Sequence, residues 1–262
     1  MANLKANRNI IYEFIRKSIK TQYRNSVLGL LWTILNPLLN MLVMWLVFSQ
    51  FFGKNDPLYP IYLLTGNILF SCFRSATDMS LTSIVNNRGL LLKTKIDSYI
   101  FPLSSTLSSF VTFLFSIIAL LIIMLFTQIF GNQSIFSIKM FSVLLMIPAF
   151  LLFEIGVSLL LSTLYVFFRD IKYLYNVFLT LLMYMTPIFW KFDILKDGSF
   201  AQNLVKANPM LYFVTFFRDS LYLGWQSFPV IDLLILYLIS ISFFIIGYIF
   251  FKLLKDKFII HL

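Results

Sequence analysis

The sequence is poor in the residues that usually carry enzyme chemistry. One cysteine, Cys72, and one histidine, His261, occur in 262 residues. A lone thiol excludes a disulfide within the chain and a cysteine-based metal site. A single histidine next to the last residue leaves no histidine metal centre and no base for a Ser-His-Asp triad. Acidic residues number 11, and only Glu154 sits deep in an apolar run. No G-x-x-x-x-G-K phosphate cradle is present, so any ATP chemistry is expected on another chain. Charge as a whole is scarce: 12% of residues are charged against 60% apolar, with a mean hydropathy of +0.87. That mixture excludes an ordinary soluble domain. The net charge of +10 would suit nucleic acid, but the cations cluster between apolar runs, as the positive-inside rule expects, and no nucleic-acid partner is predicted. A cleavable signal peptide is not expected, because the first apolar run starts too far in, is too long and lacks a small-residue cleavage site.

What is present begins with the stretch Asn7 to Phe52. At about 100° per residue, Glu13, Arg16, Lys17, Lys20 and Arg24 share one polar arc. Ile11, Tyr12, Ile15, Ile19 and Tyr23 fill the opposite side, flanked by Ile10 and Phe14. Such a helix lies in a membrane interface, its apolar face among acyl chains and its cations among anionic headgroups. Val27 to Phe52 then carries no charge and exceeds the roughly 20 residues needed to cross a bilayer.

The expected fold is an all-α integral membrane protein forming one permease-like domain over residues 1–262. An amphipathic interfacial helix covers 7–25. Six transmembrane helices follow at 28–52, 58–84, 101–130, 141–168, 174–190 and 228–254. A re-entrant helical hairpin at 191–225 separates the fifth span from the sixth. In that hairpin Asn208 is a good N-cap, Pro209 suits the first helical position, and Gly224 is a plausible stop. Between spans two and three, Gly89 is expected to break the helix, and Arg88, Leu90, Leu91, Leu92 and Lys93 form a basic-apolar piece too short to span. It reads either as a small helix offering leucines to a partner or as a plain interfacial turn. With six spans, fourteen loop cations fall on the side of the termini and six on the other, which puts both termini in the cytoplasm of a multi-pass protein.

Several residues stand out at depth. Asn36 and Asn40 flank Pro37 in the first span and need partners or a wet cavity. Arg74 and Asp78 are spaced to pair on one helix face. Arg74 lies roughly 24 Å from the start of its span and Glu154 roughly 20 Å from the matching end of its own, at 1.5 Å per residue. An ionisable group at that depth needs a partner. Either Glu154 pairs with Arg74 across spans, or Asp78 satisfies Arg74 and Glu154 is protonated or bonded to hydroxyls. Arg169, Asp170, Arg218 and Asp219 complete the set of structural charges.

Three stretches together carry a resemblance. They are Tyr23-Arg24-Asn25-Ser26-Val27-Leu28-Gly29-Leu30-Leu31-Trp32 with Pro37-Leu38; Phe168-Arg169-Asp170-Ile171 followed by Thr186-Pro187-Ile188; and Asn208-Pro209-Met210 ending in Phe217-Arg218-Asp219. In order and spacing the chain resembles the membrane (permease) subunits of type-2 ABC exporters, in the polysaccharide branch that exports O-antigen, capsule or teichoic-acid polymers. The resemblance implies a homodimer in a bacterial cytoplasmic (inner or plasma) membrane, partnered by two copies of a nucleotide-binding ATPase subunit. ATP and magnesium would belong to that ATPase, and no cofactor or metal to this chain. It also implies that a lipid-linked polymer passes between two permease subunits, that the piece around Arg88 to Lys95 docks on the ATPase, and that the N-terminal helix is an interfacial gate beside the entry of the lipid-linked substrate. On this reading Tyr23, Arg24, Trp32, Asn36, Asn40, Tyr59, Tyr62, Trp190, Phe213, Phe216 and Phe217 are candidates for the substrate path or gate. Aromatic faces stack on sugar rings, whereas an interfacial aromatic belt facing lipid is the plainer explanation. A type-2 ABC exporter of a small hydrophobic drug or lipid is the alternative. A membrane glycosyltransferase or acyltransferase would need a catalytic cluster that the sequence lacks.

Overall fold

A computed structural model describes residues 2–22, 26–52, 56–94, 96–131, 137–223 and 229–261. Tyr23, Arg24, Lys95, Gly224 and the turn residues Gly53, Lys54 and Asn55 lie outside the described residues. Those described are helical or in connecting turns throughout. Helix α1 is Ala2–Gln22, α2 Trp32–Phe52, α3 Tyr59–Asn86, α4 Arg88–Lys93 and α5 Ile100–Gly131. Then come α6 Val143–Phe167, α7 Ile171–Met185, α8 Phe200–Lys206, α9 Pro209–Arg218, α10 Val230–Leu254 and α11 Phe258–His261.

Among the described residues, four helical stretches are long and apolar enough to cross a membrane: Trp32–Phe52, Ile100–Phe130, Ile138–Phe167 and Val230–His261. Helix α3, with 28 residues, has the length but is interrupted by polar side chains. Helix α7 has only 15 residues. Its end corrects the expected boundary at Trp190. Thr186 precedes Pro187, and a residue before proline is pushed into extended backbone; Thr186 is found at φ −85° and ψ 130°. The break before α4 also differs from expectation. It falls at Asn87 (φ −106°, ψ 18°), which leaves Gly89 inside α4.

The bundle is held by close packing and by hydroxyls, the two devices available where lipid removes the hydrophobic drive between helices. Helix α10 packs chiefly on α6, where Gly156 and Gly247 meet backbone to backbone. A Cβ on Gly156 would lie 2.6 Å from the carbonyl of Phe243, so only glycine fits this crossing. Helix α3 packs on α5 and α6. A buried chain of hydroxyls joins the three: Ser80 Oγ lies 3.1 Å from Thr106 Oγ1, and Thr106 donates to Ser158 Oγ at 2.9 Å. The centre is aromatic. Phe153 stacks on Phe73 (5.4 Å) and Phe213 (5.2 Å) and meets Phe243 edge-on (5.0 Å). A second cluster lies at the α4 end, where Ile84, Phe101, Val166, Phe251 and Phe258 are buried together. By contrast α2 buries only Thr33 and Met41.

Helix α1 rests on the bundle. Phe14 packs edge-on against Phe101 at 5.4 Å, and Asn7 bonds the Asp97 carboxylate (3.0 Å) and the Tyr99 hydroxyl (3.1 Å). Phe14, read from the sequence as a flank residue, is thus a main anchor, while Tyr12 is exposed.

Candidate functional site

On the open side of α3, Ser71, Arg74, Ser75 and Asn86 are exposed, and Asn67, Asp78 and Thr82 are half-buried. They recur at three- and four-residue steps, so they form one stripe along the helix. From Asn67 to Asn86 the stripe runs about 28 Å at 1.5 Å per residue, close to the ~30 Å thickness of a bilayer core. Hydrocarbon is a poor environment for such a row, since each unsatisfied polar group costs several kcal/mol there.

Two cavities lie along the stripe. The one toward the α4 end, about 630 Å³, is lined by Lys17, Ser18, Thr21 and Gln22 of α1, Asn86 and Met79 of α3, and Ser104, Ser105 and Ser108 of α5. The other, about 170 Å³, is lined by Trp32, Asn36 and Asn40 of α2, Asn67, Ser71 and Ser75 of α3, and Ser109, Thr112 and Ser116 of α5. Gln22 borders both. Where they meet, Ser109 Oγ lies 3.1 Å from Ser75 Oγ and 3.6 Å from Met79 Sδ. Amides and hydroxyls dominate the track. Such groups bond other hydroxyls in either direction, and the exposed face of Trp32 adds an aromatic surface.

The expected path residues divide sharply. Trp32, Asn36 and Asn40 line the track, and Asn40 Nδ2 approaches Asn36 Oδ1 at 3.5 Å. Tyr59, Phe213, Phe216 and Phe217 are enclosed within the subunit, and Tyr62 is buried with one edge on a separate small cavity, so none of the five borders the track. The reason is local. The Tyr59 hydroxyl donates to the Phe189 carbonyl at 2.7 Å, the Tyr62 hydroxyl to the Pro187 carbonyl at 2.9 Å, and the three phenylalanines fill the face of α9 that meets the bundle. Trp190 is half-buried and bonds the Tyr184 carbonyl. Asn67, Ser71, Ser75, Ser109 and Thr112 were missed, although a polar residue at every third or fourth position of an apolar helix is a readable signal.

The charges arrange differently from expectation as well. Arg74 is exposed on the stripe, whereas Glu154 is fully buried, and among the described residues neither oxygen of Glu154 has a hydrogen-bond partner. Among the described residues neither Arg74–Glu154 nor Arg74–Asp78 forms an ion pair. Arg74 points to the open side of α3, and Glu154, on α6, meets the buried side. Glu154 faces the Cys72 thiol, whose own contact is to the Ser109 carbonyl at 3.9 Å. Arg169 lies over the Tyr165 ring at 5.2 Å and donates to the His261 carbonyl at 3.3 Å, while Asp170 is exposed.

Arg218 has the most demanding environment. It is 2% exposed and donates to the carbonyls of Pro187 (2.7 Å), Tyr62 (2.9 Å) and Ile188 (3.4 Å) and to Thr65 Oγ1 (3.3 Å). Asn208 Nδ2 adds a bond to Thr186 Oγ1 at 2.9 Å while Asn208 Oδ1 caps α9 at Met210 N. The Thr186-Pro187-Ile188 corner, α3 and α9 are therefore joined through two side chains.

In α4, Leu90 and Leu92 are exposed, and Leu91 packs on the cluster around Phe101 and Phe258. The helix shows two leucines and two cations to the outside.

The family model described as ABC-2 type transporter matches residues 11–222. An O-antigen export system permease protein RfbA of Klebsiella pneumoniae is 28% identical over 262 residues, covering 98% of each chain. The protein of the same name from Myxococcus xanthus is 26% identical over 215 residues, 82% of this chain and 81% of its own. The polysialic acid transport protein KpsM of Escherichia coli is 34% identical over 79 residues, 29% of this chain and 30% of its own.

Proposed function

The chain belongs to the ABC-2 type transporter family, and from that premise we infer that it is the transmembrane subunit of an ABC exporter for a polysaccharide. The polar stripe on α3 with its facing hydroxyls on α5 is the observation that carries the reading. A polyhydroxylated chain needs exchangeable hydrogen-bond partners along its route, and a hydrophobic drug or lipid needs none, which disfavours that alternative.

The finer reading follows. The polymer travels as a lipid-linked chain across a bacterial cytoplasmic membrane. Two copies of this subunit pair with two copies of a separate nucleotide-binding ATPase, which binds ATP and magnesium. The stripe, open in one subunit, is covered or made wet when the second copy closes over it. Helices α3 and α7 complete six spans with the four apolar ones, and residues 191–223 dip into the far side without crossing. Both termini then lie in the cytoplasm with α4, whose exposed Leu90, Leu92 and cations meet the ATPase. Lys17, beside the larger cavity at that end, suits an anionic lipid headgroup.

Deletion of the gene tests this reading. Surface polymer should vanish while lipid-linked polymer accumulates inside, and the gene supplied in trans should restore export. Unchanged surface polymer after deletion would refute it.

A further inference from the structure

A third cavity, of about 270 Å³, lies at the end of the bundle opposite α4 and plays no part in the track. One wall is fixed. Tyr62, Pro187 and Arg218 line it, and the hydrogen bonds of Arg218 lock them together. The facing wall is the short segment Lys191, Phe192 and Asp193, tied back by an ion pair from Lys191 Nζ to Asp56 Oδ2 at 2.8 Å. Lys191 and Asp193 are exposed, and Phe192 is half-buried. Asp219 and Tyr222 close the floor. The Tyr222 hydroxyl is buried and has no hydrogen-bond partner among the described residues.

The chemistry of this lining narrows the ligand. Lys191 is paired with Asp56 and the Arg218 guanidinium is spent on carbonyls, so neither cation of the lining is free to hold an anion. Among the described residues, no three carboxylates or other ligating groups converge as a metal would require. An apolar ligand would strand Asp193, Asp219 and the Tyr222 hydroxyl. A neutral ring bearing several hydroxyls meets every requirement. Carboxylate oxygens accept from hydroxyls, Lys191 donates to them, the unpartnered Tyr222 hydroxyl does either, and Phe192 offers a face to ring C–H bonds. The volume is just below the ~300 Å³ at which small-molecule sites usually begin, room for one sugar ring and no more.

We propose that this cavity is a glycosyl subsite, which takes one monosaccharide unit of the exported polymer at the end of the bundle opposite α4. The proposal rests on the polysaccharide reading and adds a place where the subunit distinguishes one sugar from another. The fixed wall sets the orientation of the ring, and the Lys191–Asp193 segment admits and releases it when the exposed ion pair opens.

The test uses the permease reconstituted with its ATPase in lipid nanodiscs. The probe is the oligosaccharide released by mild acid from the strain's own surface polymer, followed by saturation-transfer NMR. The expected result is transfer concentrated on the protons of one sugar unit. It should fall at least fivefold in the Phe192→Ala/Asp193→Asn double variant, with folded yield as the control, and export in the cell should slow. Val43→Ala, exposed on α2 and lining none of the three cavities, should leave the transfer in place. No transfer to the wild-type complex at millimolar probe, or equal transfer in the double variant, overturns the subsite. If the polysaccharide reading itself fails, gene deletion leaves surface polymer intact. If only the subsite fails, deletion removes the polymer while the double variant exports at the wild-type rate.

Discussion

The guanidinium of Arg218 lies 3.5 Å from the centre of the Tyr62 ring, while the Tyr62 carbonyl and hydroxyl serve the same junction. A buried cation with no carboxylate in contact is tolerable only because carbonyl dipoles and the ring face replace water. The arrangement predicts that Arg218→Ala collapses the fold locally. Three carbonyls and a hydroxyl each lose a bond from a charged donor, worth ~1.5–3 kcal/mol. Arg218→Lys should rescue little, since an ammonium cannot reproduce the planar fork. Gly66→Ala should mimic the loss, because its Cβ would lie 2.6 Å from Arg218 Nη2. Yield of monodisperse protein by fluorescence-detected size exclusion is the measurement, and near-normal yield for Arg218→Ala would contradict the role.

The α6–α10 crossing gives a second prediction. A Cβ on Gly247 would overlap the Gly156 carbonyl oxygen, and the obstruction is backbone that cannot rotate away. Gly247→Ala should cost at least the ~1–3 kcal/mol typical of overpacking, read as a lower melting temperature in detergent. Gly89→Ala, where nothing lies within 4 Å, is the matched control and should change little.

These two sites also show what could be read beforehand. Asn208 and Pro209 announced the start of α9, and the helix begins there with the Asn208 side chain as cap. Apolar length announced α2, α5, α6 and α10, and Asn36 and Asn40 announced a polar surface on α2. What failed were statements about direction around a helix. Counting residues gives height, and by height Arg74 and Glu154 match. It says nothing about whether two helices turn those faces toward each other, and here they do not. The outer aromatics failed for the same reason: periodicity marks a face of α9 but not whether lipid, a path or α3 covers it. Arg218 was read only as a structural charge, because its partners are backbone carbonyls, and those leave no trace in sequence.

Helix α4 separates docking from folding. Leu91 is half-buried against the protein's own core, whereas Leu90 and Leu92 are 41% and 57% exposed. We expect Leu92→Asp to leave folded yield intact while export falls and ATP hydrolysis by the complex no longer tracks transport. Leu91→Asp should instead lower the yield, because it buries a charge against Phe101 and Phe258. Export and yield measured side by side decide it, and a Leu92→Asp strain that exports normally would leave α4 resting on lipid.

Glu154 yields a prediction of opposite sign. Both carboxyl oxygens are buried without partners, a state that costs ~1–3 kcal/mol for a polar group. Replacing an unsatisfied buried polar group by an apolar one of similar shape is often neutral or stabilising. Glu154→Met should therefore melt at or above the wild-type temperature, with its long unbranched chain filling the space among Cys72 and Phe153. A drop of several degrees would show that the carboxyl has work that one subunit does not reveal.

The last prediction concerns the track itself. Asn36 and Asn40 are exposed on α2, and Ser71 and Ser75 on α3. Among the described residues, none of the four carries a buried bond on which the fold depends: Asn40 reaches Asn36, Ser71 reaches Asn67, and Ser75 reaches the rim residues Met79 and Ser109. Changing them to apolar residues of similar size should leave stability within the ~0.5 kcal/mol usual for surface positions. The consequence for a polyhydroxylated substrate differs. Each site converts an exchangeable partner into a surface that forces a sugar hydroxyl to go unpaired, at ~1–3 kcal/mol per group. Because 1.4 kcal/mol is a factor of ten, Asn36→Leu with Ser71→Val should slow export by about tenfold or more at unchanged protein level. Asn36→Gln with Ser71→Thr, which keep the hydrogen-bonding groups, should export near normally. Val43 on the same helix as Asn36 is exposed and already apolar, so Val43→Ala serves as the neutral control. Equal export by the apolar and polar pairs would show that the stripe meets only the second subunit, and the route of the polymer would then have to lie elsewhere.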